Sequence, residues 1–262
     1  MIQIKIRKEI GRKKYLLYAV LSFTAVFLIW LLASESGAIK EIFLPKPLNV
    51  VRYYIDSARD GSLWENTKIS ICRITLGFVY AVILGIPVGI LVGTFKKSEA
   101  VIRPLCEFIR YMPVPAFVPL IMVWIGIGEN AKITVIFAGT FFQLVLMVAD
   151  DALSVPDDLI NAGYTLGSGT KNTIFKILVP AMLPRLMETL RMMIGWAWTY
   201  LVSAELVAAN TGLGYTVLKS QRFLKTDAIF ANIILIGLLG LITDRMFAVL
   251  NKRMFPWTEG GK

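Results

Sequence analysis

Six separated apolar runs, each long enough as a helix to cross about 30 Å of hydrocarbon, leave this chain little choice of fold. The bilayer core offers no water to unpaired backbone groups, so runs of this length read as helices. Of the 262 residues 56% are apolar, which leaves no room for a large soluble domain as well. The expected class is all-α, a polytopic membrane protein with six transmembrane helices and one short cytoplasmic helix. There is no His, and the two Cys, Cys72 and Cys106, sit in apolar or helix-like surroundings, so neither a metal site nor a disulfide framework is expected, and no cofactor. The formal net charge of +10 fits basic cytoplasmic loops, since no basic–aromatic motif for nucleic acid appears.

Taken in order, residues 1–14 are a basic tail with Lys5, Arg7, Lys8, Arg12, Lys13 and Lys14, followed by an uncharged run from Tyr15 to Ala33. That layout mimics a signal peptide, but its apolar part exceeds the usual length of about 7–15 residues and reads as a retained first span. A long external connection over 34–70 is broken at its start by Pro45 and Pro47, and Val50–Ala58 reads as an amphipathic helix at the interface. The second span covers Ile71–Thr94, where Gly77, Gly85, Gly89 and Gly93 recur by fours and eights. Small residues on one face allow close helix packing in lipid; a direct part in passing substrate is the second reading. A third span from Pro104 or later is interrupted by Pro113, Pro115 and Pro119, tolerable at membrane depth only against protein or a water-filled cavity. After an outer turn at 126–132, Ile133–Val148 returns inward. A polar loop (150–184), a fifth span (Leu186–Val207), an outer connection (208–227), a last span (Ala228–Leu250) and a tail (251–262) complete the core of 71–250. The inner segments hold fifteen Lys and Arg against nine outside, so both termini are expected in the cytoplasm.

In the polar loop, Val155-Pro156-Asp157-Asp158 reads as a helix start, because Pro suits the first turn and carboxylates favour the positive end of the dipole. Leu159, Ile160, Ala162 and Leu166 follow at helical spacing, and Gly167 is a stop. Gly163 is expected to leave room for a partner's side chain, and a second helical run, Asn172–Val179, to end near Pro180. Gly167–Thr173 looks like a phosphate loop, but Thr170 and Asn172 flank Lys171 where Gly and Ser or Thr are needed, so no ATP site is expected. Among the ionisable groups, Glu107 with Arg110 and Glu188 with Arg191 are spaced for local pairs. Asp244 reads as an interfacial helix-end charge, and Arg73 as an arginine that snorkels from the outer end of its span. Gln143 and Glu205 have no local partner and are either pathway or structural hydrogen-bonding groups. Trp196, Trp198, Tyr200 and Ser203 give the fifth span a row of polar tips, to be read as pathway lining or as a packing cluster.

The loop resembles the cytoplasmic "EAA" loop of ABC importer permeases. That pattern falls on Asn161-Ala162-Gly163, then Gly167, Ile177 and Val179-Pro180, with Asn for Glu, Gly for the second Ala and Val for Leu. Phe43–Pro47, Gly61–Trp64, Ser70–Arg73, Arg110–Pro115 and Gly212-Leu213-Gly214-Tyr215 resemble segments of the branch that handles nitrate, taurine, alkylsulfonates and some thiamine precursors. The resemblance implies a permease subunit without covalent chemistry, working in a bacterial inner membrane. Its implied partners are a second permease copy, cytoplasmic ATPase subunits and an external solute-binding protein. It assigns ATPase coupling to Asp157, Asp158, Asn161, Ala162, Gly163 and Gly167. The implied cargo is a small anion, with a thiamine-precursor pyrimidine as the alternative. A secondary transporter or channel is the reading from another class, and would need no ATPase.

Overall fold

The computed structural model describes residues 10–257; Lys5, Arg7 and Lys8 of the basic tail, and Lys262, lie outside the described residues. Every regular element among the described residues is helical. Helix α1 (Arg12–Glu35) lies along the edge of the molecule and meets it through Trp30. The Trp30 indole donates to the Pro45 carbonyl at 2.9 Å and its ring stacks on Phe230. Helix α2 (Pro47–Arg59) takes Pro47 at its first turn and extends the expected interfacial helix, mainly at its start. Its Tyr54 hydroxyl bonds the Ala231 carbonyl, and burial, with Tyr53 alongside, raises the Tyr54 pKa above the usual phenol value.

The second expected span is longer than the sequence suggested. Helix α3 runs from Ser62 to Thr94, because Gly61, at φ 82°, turns the chain directly out of α2 and the polar residues 62–70 form its first turns. Helix α6 (Glu129–Leu153) is the hub of the fold, with the glycine face of α3 laid along it. A Cβ on Gly89 would stand 2.6 Å from Val148 Cβ and 2.8 Å from the Val145 carbonyl; one on Gly93 would stand 2.6 Å from the Ala149 carbonyl. These glycines therefore serve packing, the backbones approaching as small residues permit. Gly89→Ala is expected to cost about 1–3 kcal/mol by overfilling a seam that backbone atoms wall. Gly237, on helix α11 (Thr226–Met254), has open space at its Cβ. Gly237→Ala should be neutral or mildly stabilising through helix propensity. Thermal aggregation of the two purified variants in detergent checks the contrast, and equal melting points would contradict it.

The third expected span is two helices. Helix α4 (Lys96–Arg110) and helix α5 (Val114–Ile125) meet at 104° across residues 111–113. Pro113 and Pro115 remove donors where a continuous helix would need them, and Pro104, expected to start the span, lies inside α4. Beyond α6 come helix α7 (Asp157–Thr165), one turn of helix α8 (Thr170–Thr173) and a π-helical turn at Ile174–Leu178. Helix α9 (Val179–Ala208) follows without a break. The run expected to end near Pro180 instead continues through Pro180 and Pro184. The π turn widens the helix where the Pro180 ring would otherwise press on the carbonyl four residues back. Helix α10 (Leu213–Arg222) lies in the connection between α9 and α11.

Among the described residues, α1, α3, α6 and α11 are long and apolar enough to cross a membrane, and α4 with α5 makes a fifth span when counted as one broken crossing. Helix α9 carries Arg185, Glu188, Arg191 and Glu205, which dilute its apolar character. Its apolar face nonetheless joins α3, α5 and α6 in one core through Met182, Leu186, Met193, Ala197 and Leu201.

Candidate coupling surface, membrane cavity and outer ion-pair cluster

Helix α7 forms within a residue of its expected bounds. Pro156 immediately precedes its first turn, which Asp157 and Asp158 occupy, both exposed. Its end is a Schellman motif: the Gly167 N–H donates to the Tyr164 carbonyl at 2.9 Å and the Ser168 N–H to the Gly163 carbonyl at 3.0 Å, with Gly167 at φ 81°. Asn161, Ala162, Leu159 and Tyr164 are exposed, and Leu166 is 87% exposed. Ile160 packs against the core. Gly163 is buried, and the space in front of it is taken by the Ile177 side-chain tip. The notch expected to admit a partner's side chain is thus filled by this chain's own π turn.

Carboxylates at the end of α6 tie the flanks of this loop together. Buried Asp151 accepts from Arg185 Nε at 3.0 Å and from Thr189 Oγ1 at 2.6 Å, both on α9. Asp150 accepts from Arg103 of α4 at 2.8 Å. Arg103 also pairs with Glu107, at 3.2 Å, so the expected Glu107–Arg110 pair is replaced by one a turn earlier. Glu188 keeps the expected contact with Arg191 at 3.6 Å. The stronger partner of Arg191 is Asp244 on α11, held through two bonds of 2.7 and 2.9 Å, so Asp244 is an interhelical ion-pair group and not merely a helix-end charge.

Of the candidate pathway residues, the structure brings Gln143 and Tyr200 together. Both line a cavity of about 330 Å³ among α4, α5, α6 and α9, with Arg110, Phe117, Trp124 and Phe142 on the same wall. Gly139 makes space for the Tyr200 ring, which a Cβ there would meet at 2.6 Å. Trp196 is exposed beside Tyr200, their rings 6.2 Å apart. Trp198 is buried elsewhere, its indole donating to Thr243 of α11 at 3.1 Å, and Ser203 is half-buried outside the cavity lining.

Glu205 stands apart from the cavity. Fully buried, it accepts from Arg73 Nη1 at 2.6 Å, from Ser70 Oγ at 2.8 Å and from the Gly214 N–H at 2.7 Å. Arg73 is 1% exposed and does not snorkel: its Nε and Nη2 grip Glu129 at 2.6 and 2.7 Å, and its Nη1 also reaches the Thr211 carbonyl at 2.7 Å. Lys132 adds a bond to Glu129 at 2.8 Å. Gly212, at φ 117°, lies where any side chain would strike the Glu205 carboxylate, which gives the Gly-Leu-Gly-Tyr segment a physical reason. The cluster joins the start of α6 and the parts of α3 and α9 beside it to the start of α10.

Residues 85–256 match the family described as the binding-protein-dependent transport system inner membrane component. A probable ABC transporter permease of Brucella abortus is 35% identical, over 92% of this chain and 95% of that one. The chain is an ABC importer permease. A putative aliphatic sulfonates transport permease of Bacillus subtilis is 32% identical over 96% of this permease and 92% of its own length. The inward-facing MetNI methionine ABC transporter superposes with a TM-score of 0.62 at 20% identity, covering 73% of this permease and 94% of that chain, a likeness of fold.

Membership places the permease in a multi-pass inner-membrane setting, in a family that works with ATPase and binding-protein partners. Sequence reading missed the pairing of Arg73 with Glu205 and Glu129, and of Arg191 with Asp244 beside its expected contact with Glu188. One signal was present: Arg73 and Glu205 both fall near the outer ends of their spans, with opposite charge at matching depth. Two charges that would be costly alone in lipid are then natural partners.

Proposed function

We propose that this permease imports a small anion of the sulfonate kind, released to it by an external binding protein. A cytoplasmic ATPase seated on α7 drives it, and a second copy of the permease completes the path. In this reading α9 is the sixth span, both termini are cytoplasmic, and Asp157, Asp158, Asn161, Ala162, Gly163 and Gly167 belong to the coupling element. The observation that carries it is α7 itself: a helix closed by a Schellman turn, stapled through Gly163 and Ile160 to its own chain, with Leu159, Tyr164 and Leu166 left exposed. A short helix seated on its own chain in this way is a handle, and the Asp151–Arg185 and Asp150–Arg103 pairs beside it pass its displacement to α9, α6 and α4. The anion reading is supported by the aliphatic sulfonates named for the B. subtilis relative and by the cavity that holds Gln143 and Tyr200 beside Arg110.

The test is uptake into sealed right-side-out vesicles holding the permease with its ATPase and binding protein. With ATP enclosed, labelled butanesulfonate or taurine should accumulate in preference to a thiamine-precursor pyrimidine. On a background without Cys72 and Cys106, an Asn172→Cys side chain should react with an impermeant maleimide only after the vesicles are opened. Uptake of the pyrimidine alone would replace the substrate class, and labelling of intact vesicles would invert the topology.

A further inference from the structure

Arg110 differs from the other arginines that join the helices of the core. Arg73, Arg103, Arg185 and Arg191 each hold a carboxylate. Arg110 holds none among the described residues: its Nη1 lies 3.5 Å from Gln143 Oε1, its Nη2 donates to the Tyr111 hydroxyl at 2.9 Å, and its guanidinium sits 4.8 Å from the Tyr111 ring. Its position makes that unusual. Arg103 meets Asp150 near the inner end of α6, whereas Arg110 meets Gln143, about 10 Å further up that helix at about 1.5 Å per residue. Arg110 is also the last residue of α4, at the 104° break before α5. Arg110 is exposed, and an ionised group at membrane depth with no carboxylate to match it marks a pathway by default, as broken helices near the midplane are where transported ions are met.

The cavity beside it limits what such an ion is. At about 330 Å³ it lies at the small end of ligand sites. Phe117, Trp124 and Phe142 belong to a mostly apolar wall, and the polar tips among the lining residues are those of Arg110, Thr134, Gln143 and Tyr200. A planar or tetrahedral inorganic anion offers nothing to that wall, and a neutral pyrimidine leaves the guanidinium unmatched. An anionic head on a short alkyl chain satisfies both, with two parallel N–H bonds from the guanidinium to the head oxygens.

We propose that Arg110 is the intramembrane contact for the transported anion and that the Phe117–Trp124–Phe142 wall takes its alkyl part, so that the permease itself selects amphipathic sulfonates. This rests on the anion reading above. The test uses the complete importer in proteoliposomes, with labelled ethanesulfonate, hexanesulfonate and nitrate, and uptake expressed per co-purified transporter. Arg110→Gln should lower sulfonate uptake at limiting concentration on the order of ten- to a hundredfold, the worth of a lost charge-assisted bond. Arg110→Lys should recover part of it. Trp124→Ala should lower hexanesulfonate uptake more than ethanesulfonate uptake, a signature that a purely structural role would not produce. If Arg110→Gln fails to assemble, the chain-length dependence of Trp124→Ala decides. Uptake by Arg110→Gln within twofold of wild type, or equal loss of both chain lengths in Trp124→Ala, overturns the proposal. Wild-type uptake confined to nitrate or a pyrimidine would overturn it through the substrate, a failure visible before any variant is made.

Discussion

Glu205→Ala is expected to strip the membrane of folded permease. The substitution leaves Arg73, 1% exposed, with one of its two carboxylates gone. It also orphans the Gly214 N–H, removes the acceptor of the Ser70 O–H, and opens a void against Gly212. Removing one member of a buried pair typically costs about 3–5 kcal/mol, because the charge left behind is uncompensated. A domain stable by about 5–15 kcal/mol does not absorb that readily. The loss should be structural before it is functional: low yield in the membrane and a collapsed melting point in detergent. The paired substitution Arg73→Met with Glu205→Leu removes both charges. Glu129 then keeps Lys132 as its partner at 2.8 Å, so much of the yield should return. Fluorescence-detected size exclusion of tagged variants reads both results. A Glu205→Ala protein as abundant and heat-resistant as wild type would show that the cluster does not hold α3, α6 and α9 together.

The contrast between α7 and this cluster shows which parts of the molecule were legible in the sequence. Helix α7 is specified locally: Pro156, the two aspartates, the apolar spacing and Gly167 all lie within a dozen residues, and each acts through the backbone beside it. The glycine face of α3 was legible for the same reason, since a four-residue spacing is itself a statement about one face of a helix. The Arg73–Glu205 and Arg191–Asp244 pairs join residues on different helices, and nothing local says which spans are neighbours. Helix bounds failed where two principles competed. At Pro180 the expected stop lost to a π turn that widens the helix, and before Ile71 the polar residues that read as loop already belong to the helix, which extends to Ser62. Pro113 and Pro115 announced an interruption, but the 104° turn and the cavity beside it depend on α6 and α9 packing into the bend.

Gly163→Leu is expected to leave the permease inserted while abolishing transport. The Cβ position of Gly163 is occupied by the tip of Ile177, so a leucine must expel that side chain. Ile177 belongs to the π turn that runs directly into α9, and its neighbour Ile174 packs on the main core. Gly163 and Ile177 therefore form the joint between α7 and the longest helix on its far side. Overfilling such a joint costs about 1–3 kcal/mol, small beside the stability of the whole bundle and large for a nine-residue helix held by few contacts. Insertion and the outer cluster lie far from the change and should persist, whereas α7 should tilt away from its seat and present its exposed face at the wrong angle. If α7 is the element an ATPase grips, co-purification of the ATPase falls and ATP-driven uptake is lost. Because the obstruction is the end of a flexible side chain, Gly163→Ala should be milder. Gly163→Leu combined with Ile177→Ala should recover both readouts, the leucine filling the space that isoleucine vacates. Recovery by the double variant ties the defect to this one contact. Full ATPase binding and uptake in Gly163→Leu alone would mean that force enters the permease elsewhere.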